Sequence, residues 1–244
     1  LPSLAEQRRA SSDRTGAKAA NLGEVEHHRA RDKAAGFDVP PGFSLPFGYY
    51  DEFVRKNGPD RRIEALVSDP RVDSDGAWRK RELAALRKAF LDAPFDPALL
   101  DQLQQRRRIV IGEGSVFARS STNSEDLPGF NGAGLYSSVP NVVTADDLSR
   151  AVRTVWSSVW NDTAFEARMV AGIDHKSVKA SVLIQQGMNA QAAGVMITEN
   201  PFDPDEPGAV FINAKRGLGI RVVEGRKVAE QLLYRSDPEA IQVL

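Results

Sequence analysis

The chain has 244 residues, 41% of them hydrophobic, so by size scaling it can bury on the order of three quarters of its unfolded surface. Its 32 basic and 33 acidic residues leave a formal charge of −1, which excludes a general nucleic-acid surface, because such surfaces rest on clustered positive charge. Cysteine is absent, so disulfide and thiolate chemistry are excluded, and no apolar run is long enough to span a membrane.

Residues 1 to about 15 are polar and arginine-rich and read as a loose lead-in. No charged-then-apolar leader opens the chain, which points to a cytoplasmic protein, and a start at Leu1 instead of methionine points to processing or to a piece of something longer. From Gly16 a helical pattern runs through Lys18, Leu22 and Val25. Lys18 then lies near a helix N-terminus, where the dipole opposes its charge unless an anion is close. Pro40-Pro41-Gly42 breaks the chain, and a second helix near Pro46 to Lys56 buries Phe47, Tyr50 and Phe53.

Arg61 to Arg108 reads as two or three amphipathic helices. They are marked by Ile63, Leu66 and Val67, by Trp78, Leu83, Leu86 and Phe90, and by Leu99, Leu100 and Leu103. The runs Arg79-Lys80-Arg81 and Arg106-Arg107-Arg108 are expected to be solvated faces, since Glu82, Asp92, Asp96 and Asp101 are interleaved with them. A long helix is expected from Ala145 to about Ala171, with Leu148, Val152, Val155, Val159 and Trp160 on its apolar side. Thr144 and Asp147 supply a capping-box start.

Beyond Asp174 the period changes to two. Val182 and Ile184, Val195 and Ile197, and Val210 and Ile212 mark strands of a second sheet. The pattern implies an α+β protein with a helix-rich lobe, 1–178, a strand-rich lobe, 179–244, and a cleft between them.

The segment from Val116 to Val142 carries the chemistry. An apolar strand ends in Arg119, whose planar fork of donors suits phosphoryl oxygens. Ser120, Ser121, Thr122 and Ser124 add short donors, and Gly129, Gly132 and Gly134 allow bare N–H groups to approach an anion. Glu125 and Asp126 are better suited to capping a turn or pairing with an arginine than to holding a metal or moving protons. His27, His28 and His175 lack the setting of a nucleophile or ligand cluster.

This loop resembles the RSSxxxEDLPxxSFAGxxxTxxNV signature of the pyruvate phosphate dikinase and phosphoenolpyruvate synthase nucleotide-binding domain, and its AGLYSSVPNV ending is similar to that of glucan water dikinases. Three further segments resemble the family in order: Gly16-Ala17-Lys18 its GGK, Val39 to Phe43 its VPPGF, and Val182 to Thr198 its VxVQxM strand pair. The resemblance implies an ATP-grasp-like domain in which Lys18 and Arg119 contact the phosphates, helped by Ser120, Ser121, Thr122, Gly132 and Gly134. It also places Gln186, Gly187 and Met188 on a hinge beside the adenine, with backbone groups reading the base edge.

The implied reaction moves the β-phosphoryl of ATP, with Mg2+, to a phosphohistidine carrier domain of the same full-length protein and then to pyruvate or a glucan. Neither that carrier histidine nor the acceptor barrel is visible in the sequence, and the metal ligands are expected beyond Leu244. The chain alone is therefore expected to be inactive. Ile220 stands where the family's GLGE has glutamate, which keeps a non-catalytic nucleotide-sensing or interaction module as the alternative.

Overall fold

A computed structural model describes residues 1–32, 34–127, 130–132, 134–203, 206, 208–217, 230–236 and 239–244. Helices and antiparallel sheets both occur, in α+β fashion, and the chain divides into two compact units, Leu1–Gly187 and Met188–Leu244. No helix of the described residues is long and apolar enough to cross a membrane.

The first unit begins with two short 3-10 turns, where a loose lead-in was expected. Leu4 is buried with Ala19 and Leu183, and the wholly buried Gln7 accepts a hydrogen bond from Ser44 Oγ at 3.1 Å. One apolar residue and one satisfied amide thus anchor a segment whose composition is otherwise that of a loop.

Helix α1, Ser12–Arg31, is interrupted at Gly16, whose φ of 78° only glycine adopts cheaply. After it come β1 (Gly42–Leu45), α2 (Phe47–Asn57), α3 (Pro59–Ser68), the short α4 (Arg71–Ser74), α5 (Gly76–Asp92) and α6 (Pro97–Val110). Their starts follow local chemistry. The Asp75 and Asp96 side chains accept from the N–H groups of Trp78 and Ala98, and Pro59 and Pro97 sit where a missing N–H costs nothing. The periodic residues Phe47, Tyr50, Phe53, Ile63, Leu66, Trp78, Leu83, Leu86, Phe90 and Leu103 are buried.

Strands β2 (Val116–Thr122), β3 (Asp126–Leu127), β4 (Phe130–Asn131), β5 (Ser138–Val142) and β6 (Ala180–Gln186) complete the unit with helices α7, Ala145–Ser157, and α8, Asp162–Val170. The main sheet has the order β1-β6-β2-β5, all antiparallel. Strand β6 therefore lies inside the first sheet, where a place in a second sheet was expected, and the boundary between units falls after Gly187. Its residues are buried on both faces, as suits a strand paired on both sides.

The long helix expected from Ala145 to Ala171 is two helices. Ser157 Oγ and Ser158 Oγ donate back to the carbonyls of Thr154 and Val155, and Asn161 turns extended while its amide donates to Leu135 O. Such side chains compete with the backbone ladder and end it. The Thr144–Asp147 capping box is present at the start of α7. Trp156 and Trp160, both essentially inaccessible, anchor the core beside Tyr50, Phe53 and Phe95 and contribute on the order of 3 kcal/mol each by burial.

His175 lies flat against Phe165, with ring centroids 3.6 Å apart. Burial first, then the charges of Arg168 and Arg79, push its imidazole down to about 4, against the opposing charge of Asp174. Its folded pKa is below the unfolded value of roughly 6.5, so its contribution to stability is intact above that value and declines as pH falls toward 4. The loss is up to about 1.4 kcal/mol per pH unit, discounted for partial exposure. Urea midpoints measured between about pH 7 and pH 4.5 are expected to fall less steeply in His175→Asn, which keeps an acceptor but cannot titrate; parallel slopes would remove His175 from the account.

The second unit is a four-stranded antiparallel sheet, ordered β10-β9-β8-β7, built from β7 (Ala192–Ile197), β8 (Ala209–Arg216), β9 (Glu230–Ser236) and β10 (Glu239–Val243). Ala209, Phe211 and Leu233 form its small core, with Phe202 edge-on to Phe211 at 5.3 Å. Gly129 and Ile220, singled out in the sequence, lie outside the described residues.

Candidate functional site

Alternation along β2 divides its side chains between two faces. Val116 and Ala118 join the helical core, while Phe117, Arg119 and Ser121 belong to the other face, toward α1. Strand β6 divides the same way, with Val182 and Ile184 in the core and Leu183 and Gln185 opposite. In the β2–β6 register, Arg119 faces Leu183 and Phe117 faces Gln185, which puts Arg119 and Gln185 diagonally adjacent. Arg119 Nη1 donates to Gln185 Oε1 at 3.0 Å, and Gln185 Nε2 donates to Pro40 O at 3.0 Å. The Val39–Phe43 motif thus serves to brace the arginine.

Lys18 reaches the same place from α1. A Cβ on Gly16 would stand 2.3 Å from the carbonyl oxygen of Ser121, so only glycine lets the kinked helix lie this close to the strand. Helix α1 resumes with the Ala19 N–H donating to Ser121 Oγ at 3.0 Å. Lys18 Nζ then donates to Ser120 O at 2.7 Å and to Glu125 Oε1 at 3.0 Å. The lysine side chain keeps 30% exposure and the glutamate 9%.

Glu125 is the centre of the arrangement. It accepts from Lys18, from Ser120 Oγ at 3.2 Å and from the Thr122 N–H at 3.3 Å. Burial lowers the Arg119 pKa, and the negative charge of Glu125 opposes that shift. Sequence reasoning left Glu125 to cap a turn or pair with an arginine. Its carboxylate does bond the turn N–H of Thr122, but its ion pair is with a lysine 107 positions away.

The other residues named from sequence fall into three groups. Ser120, Ser121 and Thr122 are buried, and their hydroxyls bond to Glu125, to Ala19 and to Ser124, so they hold the scaffold together. Gly132 lets the loop close on itself: its N–H donates to Glu125 O at 2.9 Å, and a Cβ would meet Glu125 Cα at 2.9 Å. Gly134 is exposed with φ of 79°. At the expected hinge, the N–H groups of Gln186 and Gly187 already donate to Pro41 O and Ser115 O, so they are not free to read a base; Met188 is 54% exposed. Gln185, not singled out in the sequence, could have been found from strand alternation once β6 is paired with β2. Among the described residues no group of three or more His, Asp or Glu could hold a metal ion.

Lys18 thus lies beside the strand that carries Arg119, bonded to the carbonyl of Ser120 and paired with Glu125. Residues 12–242 match the family model described as the pyruvate phosphate dikinase AMP/ATP-binding domain, and the chain belongs to that family. It is 31% identical over 236 residues to a probable phosphoenolpyruvate synthase of Staphylothermus marinus, a match covering 94% of this chain and 27% of that protein. Phosphoenolpyruvate synthases of Pseudomonas aeruginosa and Escherichia coli are 34% and 33% identical, each over 87% of this chain and 27% of the relative. The chain thus spans little more than a quarter of the length of these curated relatives.

Proposed function

We propose that this chain is the ATP-binding part of a phosphoenolpyruvate synthase-type dikinase of ATP-grasp-like architecture, and that Lys18 and Arg119 grip the triphosphate. The supporting observation is Lys18 Nζ, which bonds to the carbonyl of Ser120, the chain neighbour of Arg119, and pairs with Glu125. In this reading the carboxylate keeps its place on Lys18 until a phosphate, with more charge and more acceptors, replaces it. A cation about 4 Å from a phosphoryl oxygen contributes up to roughly 4 kcal/mol at an effective dielectric near 20, before desolvation.

The complete reaction needs parts beyond this chain. The β-phosphoryl passes to a histidine on a carrier domain and then to pyruvate, giving phosphoenolpyruvate, while the γ-phosphate goes to water or inorganic phosphate. Lys18 and Arg119 hold the triphosphate in register for that transfer and neutralise charge as it shifts between oxygens. Pyruvate is favoured as acceptor by the names of the relatives. Calorimetric titration of the full-length protein is expected to show ATP binding at least about tenfold tighter than adenosine, the least that one charge-assisted contact supplies. Equal affinities would mean that the phosphates are not gripped.

A further inference from the structure

Arg168 on α8 is fully buried, and among the described residues it forms no ion pair. Its Nη2 donates to Val159 O at 2.7 Å, its Nη1 to the Tyr136 hydroxyl at 3.4 Å, and its Nε to His175 Nδ1 at 3.2 Å. The rings of Phe165 and Trp160 lie 5.9 and 6.0 Å from the guanidinium carbon. A buried cation without a carboxylate is costly, and an apolar side chain would fill the same space with less penalty. What offsets this cost is visible on the far side of Tyr136.

A guanidinium can only donate, so the Tyr136 oxygen accepts from it and the tyrosine proton is left for Ser124 Oγ, 2.7 Å away. Ser124 contacts Thr122 twice, through its hydroxyl at 3.4 Å and its N–H at 3.3 Å. The Thr122 N–H donates to Glu125 Oε2, and the other oxygen of that carboxylate is the one Lys18 holds. Tyr136, Ser124, Thr122 and Glu125 are all buried, so water does not compete for these contacts.

We propose that Arg168 is a positioning residue for the phosphate site. It sets the direction of a hydrogen-bonded chain through Tyr136 and Ser124 that holds the turn 122–125, and with it the carboxylate against which Lys18 is aligned. This rests on the phosphate grip proposed above. Arg168 touches no substrate and acts entirely through the turn.

The test compares ATP with adenosine as titrants of the full-length protein. Tyr136→Phe keeps the ring and removes the link, so ATP affinity is expected to fall about tenfold while adenosine affinity stays within about twofold. Ser124→Ala cuts the same link from the other side and is expected to give the same selective loss. Arg168→Lys, which keeps a charge but offers fewer donors, falls between these variants and wild type. Parallel losses for ATP and adenosine would show a merely structural role, and unchanged ATP affinity in both Tyr136→Phe and Ser124→Ala would show no role; either result overturns the proposal. Lys18→Met is the control. If it leaves ATP affinity intact, the phosphate grip itself is wrong, whereas loss in Lys18→Met with none in Tyr136→Phe and Ser124→Ala defeats only the part assigned to Arg168.

Discussion

Lys18→Met and Arg119→Met are each expected to weaken ATP binding by roughly 10- to 150-fold, the value of a charge-assisted contact of about 1.5–3 kcal/mol. Methionine keeps the apolar stem of either residue, so the change removes charge and donors while retaining most of the packing of that stem. The two variants should nevertheless differ in stability. Lys18→Met leaves Glu125 buried without its cation, although Ser120 Oγ and the Thr122 N–H still donate to it. Arg119→Met frees Gln185 from one partner, while its amide keeps the bond to Pro40 O. Urea titration alongside the binding measurement separates the effects, and Lys18→Met is expected to be the less stable of the two.

Gly16→Ala should damage fold and site together. The added Cβ would lie 2.3 Å from the carbonyl oxygen of Ser121 and 2.5 Å from its Oγ, and alanine would also have to adopt a φ of 78°. Backbone strain alone costs about 1–3 kcal/mol, and the clash falls on the backbone of a strand paired along its whole length with β6, which cannot move aside alone. A loss of about 3 kcal/mol or more in urea unfolding is expected, with ATP affinity reduced because Lys18 is carried away from Ser120 and Glu125. Wild-type stability and binding in this variant would show that the close approach of α1 to β2 is dispensable.

Those elements whose cues are local could be read directly. The capping box at Thr144 and the three- and four-residue spacing of Phe47, Tyr50, Phe53, Trp78, Leu83, Leu86 and Phe90 act within a few positions of one another. Arg119 stood out because it ends an apolar strand that runs into a serine- and glycine-rich stretch, and Lys18 because its segment resembles the family's GGK. The partner of Lys18 was harder to see: Glu125 is 107 positions from Lys18, and no local rule distinguishes a carboxylate that caps a turn from one that also accepts a distant lysine.

Pairing of β6 with β1 and β2 was missed for the same reason. Its period of two is equally good for either sheet, and burial on both faces with pairing on both sides is a tertiary property. Likewise, apolar spacing continues through Val159 and Trp160, so nothing in the hydrophobic pattern announces the break that Ser157, Ser158 and Asn161 impose. Composition did not announce the structural bonds of Ser121 and Thr122. A hydroxyl suits a phosphate and a buried backbone N–H equally well, and the closeness of α1 gives Ser121 Oγ the N–H of Ala19 as a partner.

The most direct measurement is the ATP affinity of the Lys18→Met/Arg119→Met double variant, set against adenosine in the same titration. A triphosphate grip made by these two side chains predicts that ATP binds this variant no more tightly than adenosine does. ATP binding at wild-type strength in a folded double variant would contradict it.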